Sequence, residues 1–166
     1  MNNSSTMMVG LWFKTEAAEA ANFYCSIFPN SKILRSYSFP PAVIEKFGLP
    51  ENTEMGVDFS LNGFEYSAFN GNTMFTFSEA TSLMVKCNTQ EEIDYYWEKL
   101  GEGMDPNQGQ CGWLKDKFGV TWQVVPEALD HMMSNPDPVV GLRVFEAMMP
   151  MKKLNIALLE AAYQTK

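Results

Sequence analysis

The sequence has few of the residues on which metal sites and disulfide frameworks are built. It contains one histidine, His131, and three cysteines, Cys25, Cys87 and Cys111, which lie far apart and form no C-x-x-C pair. A disulfide framework or a zinc knuckle is therefore not expected, and the cysteine usage fits a reducing cytosol. No window approaches about 18 apolar residues, and the N-terminus shows no basic segment followed by an apolar run. The sequence thus predicts neither a membrane span nor a signal peptide.

Positive charge is also scarce. Twelve Lys and Arg residues against twenty Asp and Glu residues give a formal net charge of -8. Nucleic acids and anionic membrane surfaces both require clustered Lys and Arg, so neither is expected as a partner. The chain has 166 residues, of which 46% are hydrophobic, and this is enough to bury a core. We therefore predict a cytoplasmic globular protein with no nucleic-acid or membrane partner.

What the sequence does contain is a strong β-hairpin signal between Gln110 and Pro126. Asp116 and Gly119 occupy the first and last positions of a type I turn closed by a left-handed glycine. The turn sets a register that pairs Lys115 with Thr121, Trp113 with Gln123 and Cys111 with Val125. Since side chains alternate across a strand, Trp113 and Gln123 share a face that has the character of a pocket wall. The other face carries Val120, Trp122 and Val124, which suit packing under a helix.

The first half of the chain predicts the order β-α-β-β-β. The predicted strands are Met7–Lys14, Ile33–Phe39, Met55–Leu61 and Phe64–Asn70, with a hairpin turn at Asn62-Gly63. Glu16–Phe28 has helical spacing of apolar residues, and Thr15 is a plausible N-cap. The proline-rich stretch Pro40–Glu54 is predicted to be a long loop and a candidate flap.

The second half repeats this order. A strand at Thr81–Cys87 and a helix at Gln90–Leu100 precede the Trp hairpin, and Leu11 and Tyr24 fall on Leu83 and Tyr96 at a constant offset. We therefore predict two modules, at about residues 7–70 and 81–126, that form one domain over residues 1–126. Three short helices follow in residues 127–166, at Glu127–Ser134, Val139–Met149 and Leu154–Tyr163. They are either a lid across one end of the sheet or an oligomer surface.

Several motifs resemble a known superfamily. Two β-α-β-β-β modules ending in Asp-x-x-Gly-x-x-Trp-Gln resemble the vicinal oxygen chelate proteins, which have the glyoxalase and bleomycin resistance fold. Leu11-Trp12-Phe13, Asn22-Phe23-Tyr24, Phe69-Asn70-Gly71 and the tail Arg143–Met148 are more specifically similar to the PhnB-like branch, labelled 3-demethylubiquinone-9 3-methyltransferase-like. The resemblance implies an α+β fold of two βαβββ modules around a central cavity, with a C-terminal helical extension.

The resemblance also implies where a divalent metal would bind. Carried over by motif, the ligand positions are Met8, Ser67, Ala80 and Gln123. Only Gln123 and, weakly, Ser67 could contact a hard cation, whereas a catalytic metal needs about three ligands from His, Asp, Glu or Cys. No metal site is therefore predicted. Neither strand-to-helix junction, Lys14–Ala18 or Lys86–Gln90, contains the glycine that a nucleotide-type cofactor site needs, so no cofactor is predicted.

Seven residues are predicted to line a small-molecule pocket: Trp12, Glu65, Ser67, Phe69, Cys111, Trp113 and Gln123. Cys111 is either a buried small hydrophobe or a thiolate nucleophile in the field of Lys115. Glu65 is either a rim residue or a general base. An aromatic cleft with a few amides is typical of small-molecule sites, although an ordinary core can look the same.

Three functional hypotheses follow. The leading one is metal-independent binding of a small aromatic or amphipathic molecule. The second is an enzyme of the superfamily with a rebuilt active site, or a methyltransferase as the family label suggests. The third is an assembly protein whose pocket is vestigial.

The tail predicts a homodimer. Its helices carry apolar faces in excess of what the sheets need, at Leu142, Phe145, Met148, Met149, Leu158 and Leu159. Large apolar patches rarely stay exposed on monomers, and most oligomers are two-fold dimers. The alternative is that the tail folds back onto its own sheet and fills a cavity mouth.

Overall fold

The computed structural model describes residues 7–71, 75–105 and 108–165. The chain divides into two compact units, Met1–Thr76 and Phe77–Lys166. Each unit is a small mixed sheet with helices, so the predicted α+β class is confirmed. The outer limits of the predicted domains, at residues 1 and 166, lie outside the described residues. The assignment of both modules to one domain stays a prediction.

In its described residues, the first unit contains four strands and two helices. They are β1 (Val9–Phe13), α1 (Ala17–Ile27), β2 (Lys32–Ser38), α2 (Pro41–Phe47), β3 (Glu54–Leu61) and β4 (Phe64–Asn70). The strand order is β1-β4-β3-β2, in which β1 runs parallel to β4 and the other pairs are antiparallel. Leu61 pairs with Phe64 across Asn62 and Gly63, whose φ angles are +51° and +88°. This two-residue turn confirms the predicted hairpin.

Helix α1 covers one face of this sheet. Its buried face is mostly alanine, which allows the helix to lie close to the strands. Tyr24 of α1 stacks on Phe59 of β3 with ring centroids 6.2 Å apart, and Phe59 stacks on Tyr66 of β4 at 5.2 Å. Because side chains alternate along the strands, Trp12 and Ser67 project from the opposite face.

The stretch Pro40–Glu54 is not the structureless loop that was predicted, because it contains α2. Pro41 stands at the start of this helix, where its missing N–H is not needed, and Gly48 ends it with a φ of +62°. Pro40 and Pro41, which favoured a loop in the sequence, thus mark the start of a helix. None of the residues of α2 is buried, so the helix lies at the surface.

The second unit contains β5 (Leu83–Cys87), α3 (Gln90–Leu100), β6 (Trp113–Lys115), β7 (Thr121–Pro126), α4 (Leu129–Met133), α5 (Pro138–Met148) and α6 (Ile156–Gln164). Its sheet has the order β5-β7-β6, with β5 parallel to β7. The described part of this module thus has three strands, one fewer than predicted. Between α3 and β6 the described residues form only an isolated bridge, from Gln110 to Trp113.

The register of the Trp hairpin is as predicted near its turn and different at its base. Trp113 pairs with Gln123 and Lys115 with Thr121. The predicted pairing of Cys111 with Val125 is wrong, since Val124 N–H donates to the Gly112 carbonyl and Cys111 adopts a positive φ of +52°. The chain turns away from the sheet at this point.

The tail helices pack on the second module. Their core with the sheet consists of Val125, Met132, Val144, Leu154 and Leu159. The side chain of Gln90 joins α3 to this tail, because it donates to the Leu154 carbonyl at 3.1 Å and accepts from Ile156 N–H at 2.9 Å. None of the helices in residues 7–71, 75–105 and 108–165 combines the length and the apolar composition of a membrane span.

Candidate functional site

The first unit contains an apolar cleft of about 830 Å³ at one end of its sheet. The ends of β1, β3 and β4 form its floor, and the segment around α2 forms its roof. It is lined by Trp12, Lys14, Thr15, Phe39, Val43, Phe47, Leu49, Thr53, Glu54, Asn70 and Gly71. Its size lies within the range of about 300 to 1,000 Å³ that small-molecule sites occupy.

Trp12 is the main aromatic residue of the floor. It is 51% exposed, and its ring lies 6.4 Å from Phe69 and 6.4 Å from Phe75. Gly71 determines where the indole lies, because a Cβ at this position would come within 2.6 Å of the indole Nε1. The missing side chain of Gly71 therefore allows Trp12 to lie flat along the cleft with much of its ring accessible.

The roof is apolar, and its residues all come from α2 and the chain on either side of it. Val43 and Phe47 come from α2, and Leu49 follows its glycine cap. The ends of the segment are tied together, since Phe39 N–H donates to the Thr53 carbonyl at 3.0 Å. Phe47 is 66% exposed, so much of its ring is available to a bound molecule.

Some polar groups of the cleft are hydrogen-bonded to the protein itself, and others could contact a bound molecule. Asn70 is structural: its Oδ1 accepts from Ala17 N–H at 2.9 Å and its Nδ2 donates to the Glu54 carbonyl at 3.3 Å. The predicted N-cap Thr15 does not fill this role, since α1 begins at Ala17. Lys14 and Glu54 also line the cleft, and neither forms an ion pair with another of the described residues.

Ser67 lies outside this cleft in a cross-strand polar row. It is buried, and its Oγ donates to Asp58 Oδ1 at 2.6 Å and lies 3.2 Å from the Tyr37 hydroxyl. Arg35 donates to the other Asp58 oxygen at 2.5 Å, and this hydrogen bond raises the pKa of the guanidinium. Glu65 is exposed on β4. Four pocket residues were predicted in this unit: Trp12, Glu65, Ser67 and Phe69. Of these, Trp12 lines the cleft, and the ring of Phe69 lies next to the Trp12 indole.

The second unit has a smaller and more polar cleft of about 420 Å³. Its lining includes Trp113, Lys115, Thr121 and Glu79. Lys115 contacts Glu79 at 2.5 Å, and this hydrogen bond lowers the pKa of the carboxyl group. Gln123 faces Ser82 instead, to which its Nε2 donates at 2.6 Å. Trp113 is thus the predicted residue that this cleft contains.

Cys111 is not part of either cleft. Its thiol lies 3.7 Å from the carbonyl oxygens of Met148 and Met149, at the end of α5. The prediction placed it beside Lys115 because it assumed regular pairing through Val125. The positive φ at Cys111 breaks that pairing and directs the thiol to the tail. Burial raises the pKa of Cys87 to about 12, so that thiol is inert at neutral pH.

The family is decided by comparison with known proteins. Residues 5–125 match the family model of 3-demethylubiquinone-9 3-methyltransferase. The chain belongs to this PhnB-like family. The PhnB protein from Bacillus cereus is 34% identical over 74% of this chain and 99% of its own, with a TM-score of 0.61.

More distant structures share the fold alone. PA1353 from Pseudomonas aeruginosa is 17% identical over 75% of this chain and 98% of its own, with a TM-score of 0.55. The fosfomycin resistance protein FosX from Listeria monocytogenes is 17% identical over 79% of this chain and 97% of its own, with a TM-score of 0.53. No curated protein matches the chain.

The residues at the metal-ligand positions of the superfamily do not fit a metal in this PhnB-like chain. Met8 and Ala80 carry no hard donor atom, and Ser67 already donates to Asp58. No group of three His, Cys, Asp or Glu side chains suited to a metal occurs in the described ranges. The donor set is thus too poor for the three or so ligands that a catalytic metal needs.

The helix N-termini that follow β1 and β5 do not fit an anionic cofactor. The first N–H of α1 donates to Asn70. At α3, Glu92 N–H donates to Thr89 Oγ1 at 3.2 Å and Asn88 N–H donates to Glu92 Oε2 at 2.6 Å. These two bonds fill the N-terminus with protein oxygens, including a carboxylate, where a phosphate or carboxylate would have to lie.

Proposed function

We propose that this PhnB-like protein binds a small aromatic or amphipathic molecule, without a metal, in the cleft between Trp12 and α2. The observation that carries the proposal is the combination of an exposed indole, an apolar roof and two side-chain charges in one cleft of ligand size. Trp12 provides a flat surface for stacking, and Phe47 and Val43 enclose the opposite side.

A neutral aromatic probe tests this proposal. With 15N-labelled protein, 2-naphthol is expected to shift the indole Nε1–H resonance of Trp12 and to leave that of Trp97, on α3, unchanged. Trp12→Ala should weaken the binding of 2-naphthol at least tenfold, because the stacking surface is lost. The dissociation constant is measured by titration calorimetry.

Trp113→Ala is the matched control, since it removes an indole from the smaller cleft of the second unit. Binding that depends on Trp113 and not on Trp12 would contradict the proposal. It would instead support the predicted wall of Trp113 and Gln123.

The main alternative is catalysis, either with a rebuilt superfamily site or as the methyl transfer that the family description names. Methyl transfer would require a methyl donor, for which the capped helix N-termini offer no place. Binding is therefore the function that the geometry supports best.

We further propose that the protein is a homodimer in the cytoplasm. Its three free cysteines support a reducing compartment. Of the six apolar residues singled out in the tail, Leu159 is buried and Met148 packs against the tail core, while Leu142, Phe145, Met149 and Leu158 remain between 40% and 57% exposed. Such a cluster is typical of a covered surface.

Sedimentation at micromolar concentration should show twice the chain mass of 18.8 kDa. Phe145→Glu should shift the protein to monomer, because it places a charge in the apolar cluster. Phe64→Glu is the control, since Phe64 is 74% exposed on the turn of the first hairpin. A wild-type protein that sediments as a monomer would rule the dimer out.

A further inference from the structure

Two opposite charges flank a glycine at the floor of the Trp12 cleft. Phe13 of β1 pairs with Asn70 of β4, so one further step along these two strands places Lys14 beside Gly71. On the other side of β4, Asn70 Nδ2 donates to the Glu54 carbonyl at 3.3 Å, which places Glu54 next to the same end of β4. Gly71 N–H donates to the Phe13 carbonyl at 3.0 Å, which shows that the pairing of β1 with β4 continues to Gly71. Because neighbouring strands lie about 4.8 Å apart, the two charged residues are about 10 Å apart at the backbone.

Both side chains project from the face that carries Trp12. Lys14 directly follows β1, and both Lys14 and Glu54 line the cleft together with Trp12. Between them Gly71 offers no side chain, and the Trp12 indole occupies the space over it. The floor therefore has an ammonium group at one end, an indole in the middle and a carboxylate at the other end.

Neither charge is neutralised by an ion pair with the described part of the chain. A ligand that covers the indole would exclude water from both charges. It would then have to supply opposite charges of its own, because a charge that loses its water without gaining a partner is strongly unfavourable.

We infer that the cleft is built for an aromatic zwitterion, with the ring on Trp12, an anionic group at Lys14 and a cationic group at Glu54. This inference rests on the proposed function and narrows its ligand class. Charge-assisted hydrogen bonds at the two ends would also fix the direction in which the ligand lies.

A matched set of para-substituted benzenes tests this inference on the full chain. The set comprises 4-(aminomethyl)benzoate, 4-methylbenzoate, 4-methylbenzylamine and 4-methylbenzyl alcohol, which carry both charges, one charge of either sign, and none. Titrations followed at the Trp12 indole Nε1–H give each dissociation constant. The zwitterion is expected to bind at least tenfold more tightly than each of the other three.

Charge variants then assign the two ends. Lys14→Gln should reduce the affinity for the zwitterion to that for the amine, and Glu54→Gln should reduce it to that for the carboxylate. The combined swap Lys14→Glu and Glu54→Lys should restore tight binding, because the ligand can reverse its direction. Lys32→Gln and Glu51→Gln, at exposed positions outside the cleft, should leave all affinities unchanged.

The outcomes separate the inference from the proposed function. If 2-naphthol and all four benzenes shift Trp12 with equal affinity, the zwitterion inference is wrong while the binding cleft stands. The same conclusion follows if the charge swap binds as poorly as the single variants. If neither 2-naphthol nor any of the benzenes shifts Trp12, both are wrong.

Discussion

Asp116→Asn is expected to lower the free energy of unfolding by about 3 kcal/mol, although it changes a single atom of the side chain. Asp116 is 5% exposed in the turn of the Trp hairpin. Its Oδ1 accepts from Phe118 N–H at 2.9 Å and Val120 N–H at 3.0 Å, and its Oδ2 accepts from Trp122 Nε1 at 2.8 Å. An asparagine can keep the two backbone bonds, but its amide nitrogen would then face the indole N–H. Two buried donors would oppose each other where one hydrogen bond stood before.

Urea unfolding of the two proteins measures this effect. Asp137→Asn is the matched control, since the exposed Asp137 caps α5 by accepting from Val139 N–H and asparagine caps a helix equally well. In the double variant Asp116→Asn with Trp122→Phe, the opposing indole donor is gone. The combined loss should therefore be smaller than the sum of the two single losses. Strict additivity would mean that Asp116 acts through the turn alone.

The hairpin around Asp116 shows which contacts a sequence pattern can predict and which it cannot. The turn and the register next to it follow from local rules, because Asp at the first position and Gly119 at the last have defined backbone preferences. The pairing of Trp113 with Gln123 was predictable for this reason. The hydrogen bond from the Trp122 indole N–H to the Asp116 carboxylate was not predictable, because it depends on the rotamer that the buried indole adopts.

The same distinction applies to the cleft. Trp12 and Phe69 were predicted to line a pocket from their positions on the strands. The sequence does not predict the roof, because prolines such as Pro41 indicate a loop as readily as the start of a helix like α2. Lys14 and Glu54 are 40 positions apart in the chain, and only the pairing of β1, β4 and β3 brings them to one cleft. Periodicity cannot reveal such a juxtaposition, since it reports one element at a time.

Gly112→Ala is expected to destabilise the second unit strongly, although it adds a single methyl group. Gly112 has a φ of +83°, and an added Cβ would come within 2.7 Å of the Val124 carbonyl oxygen and 3.1 Å of Leu154 Cδ1. The same residue donates its N–H to the Lys152 carbonyl at 2.8 Å, which ties the tail to the sheet. We expect the substitution to lower the free energy of unfolding by about 4 kcal/mol. Part of this comes from the strained backbone at residue 112, and part from displacement of the Val124 carbonyl, which cannot move freely.

Gly63→Ala separates these two causes. Gly63 has a φ of +88°, but nothing lies within 4 Å of an added Cβ there. Gly63→Ala should therefore lower the free energy of unfolding by only about 1 kcal/mol, which is the cost of the strained backbone alone. Hydrogen exchange gives a second readout: Gly112→Ala should speed exchange at Val144 and Leu159, which lie in the core between tail and sheet, and Gly63→Ala should not. If the two variants lose equal stability and exchange alike, the contact at Gly112 does not hold the tail in place.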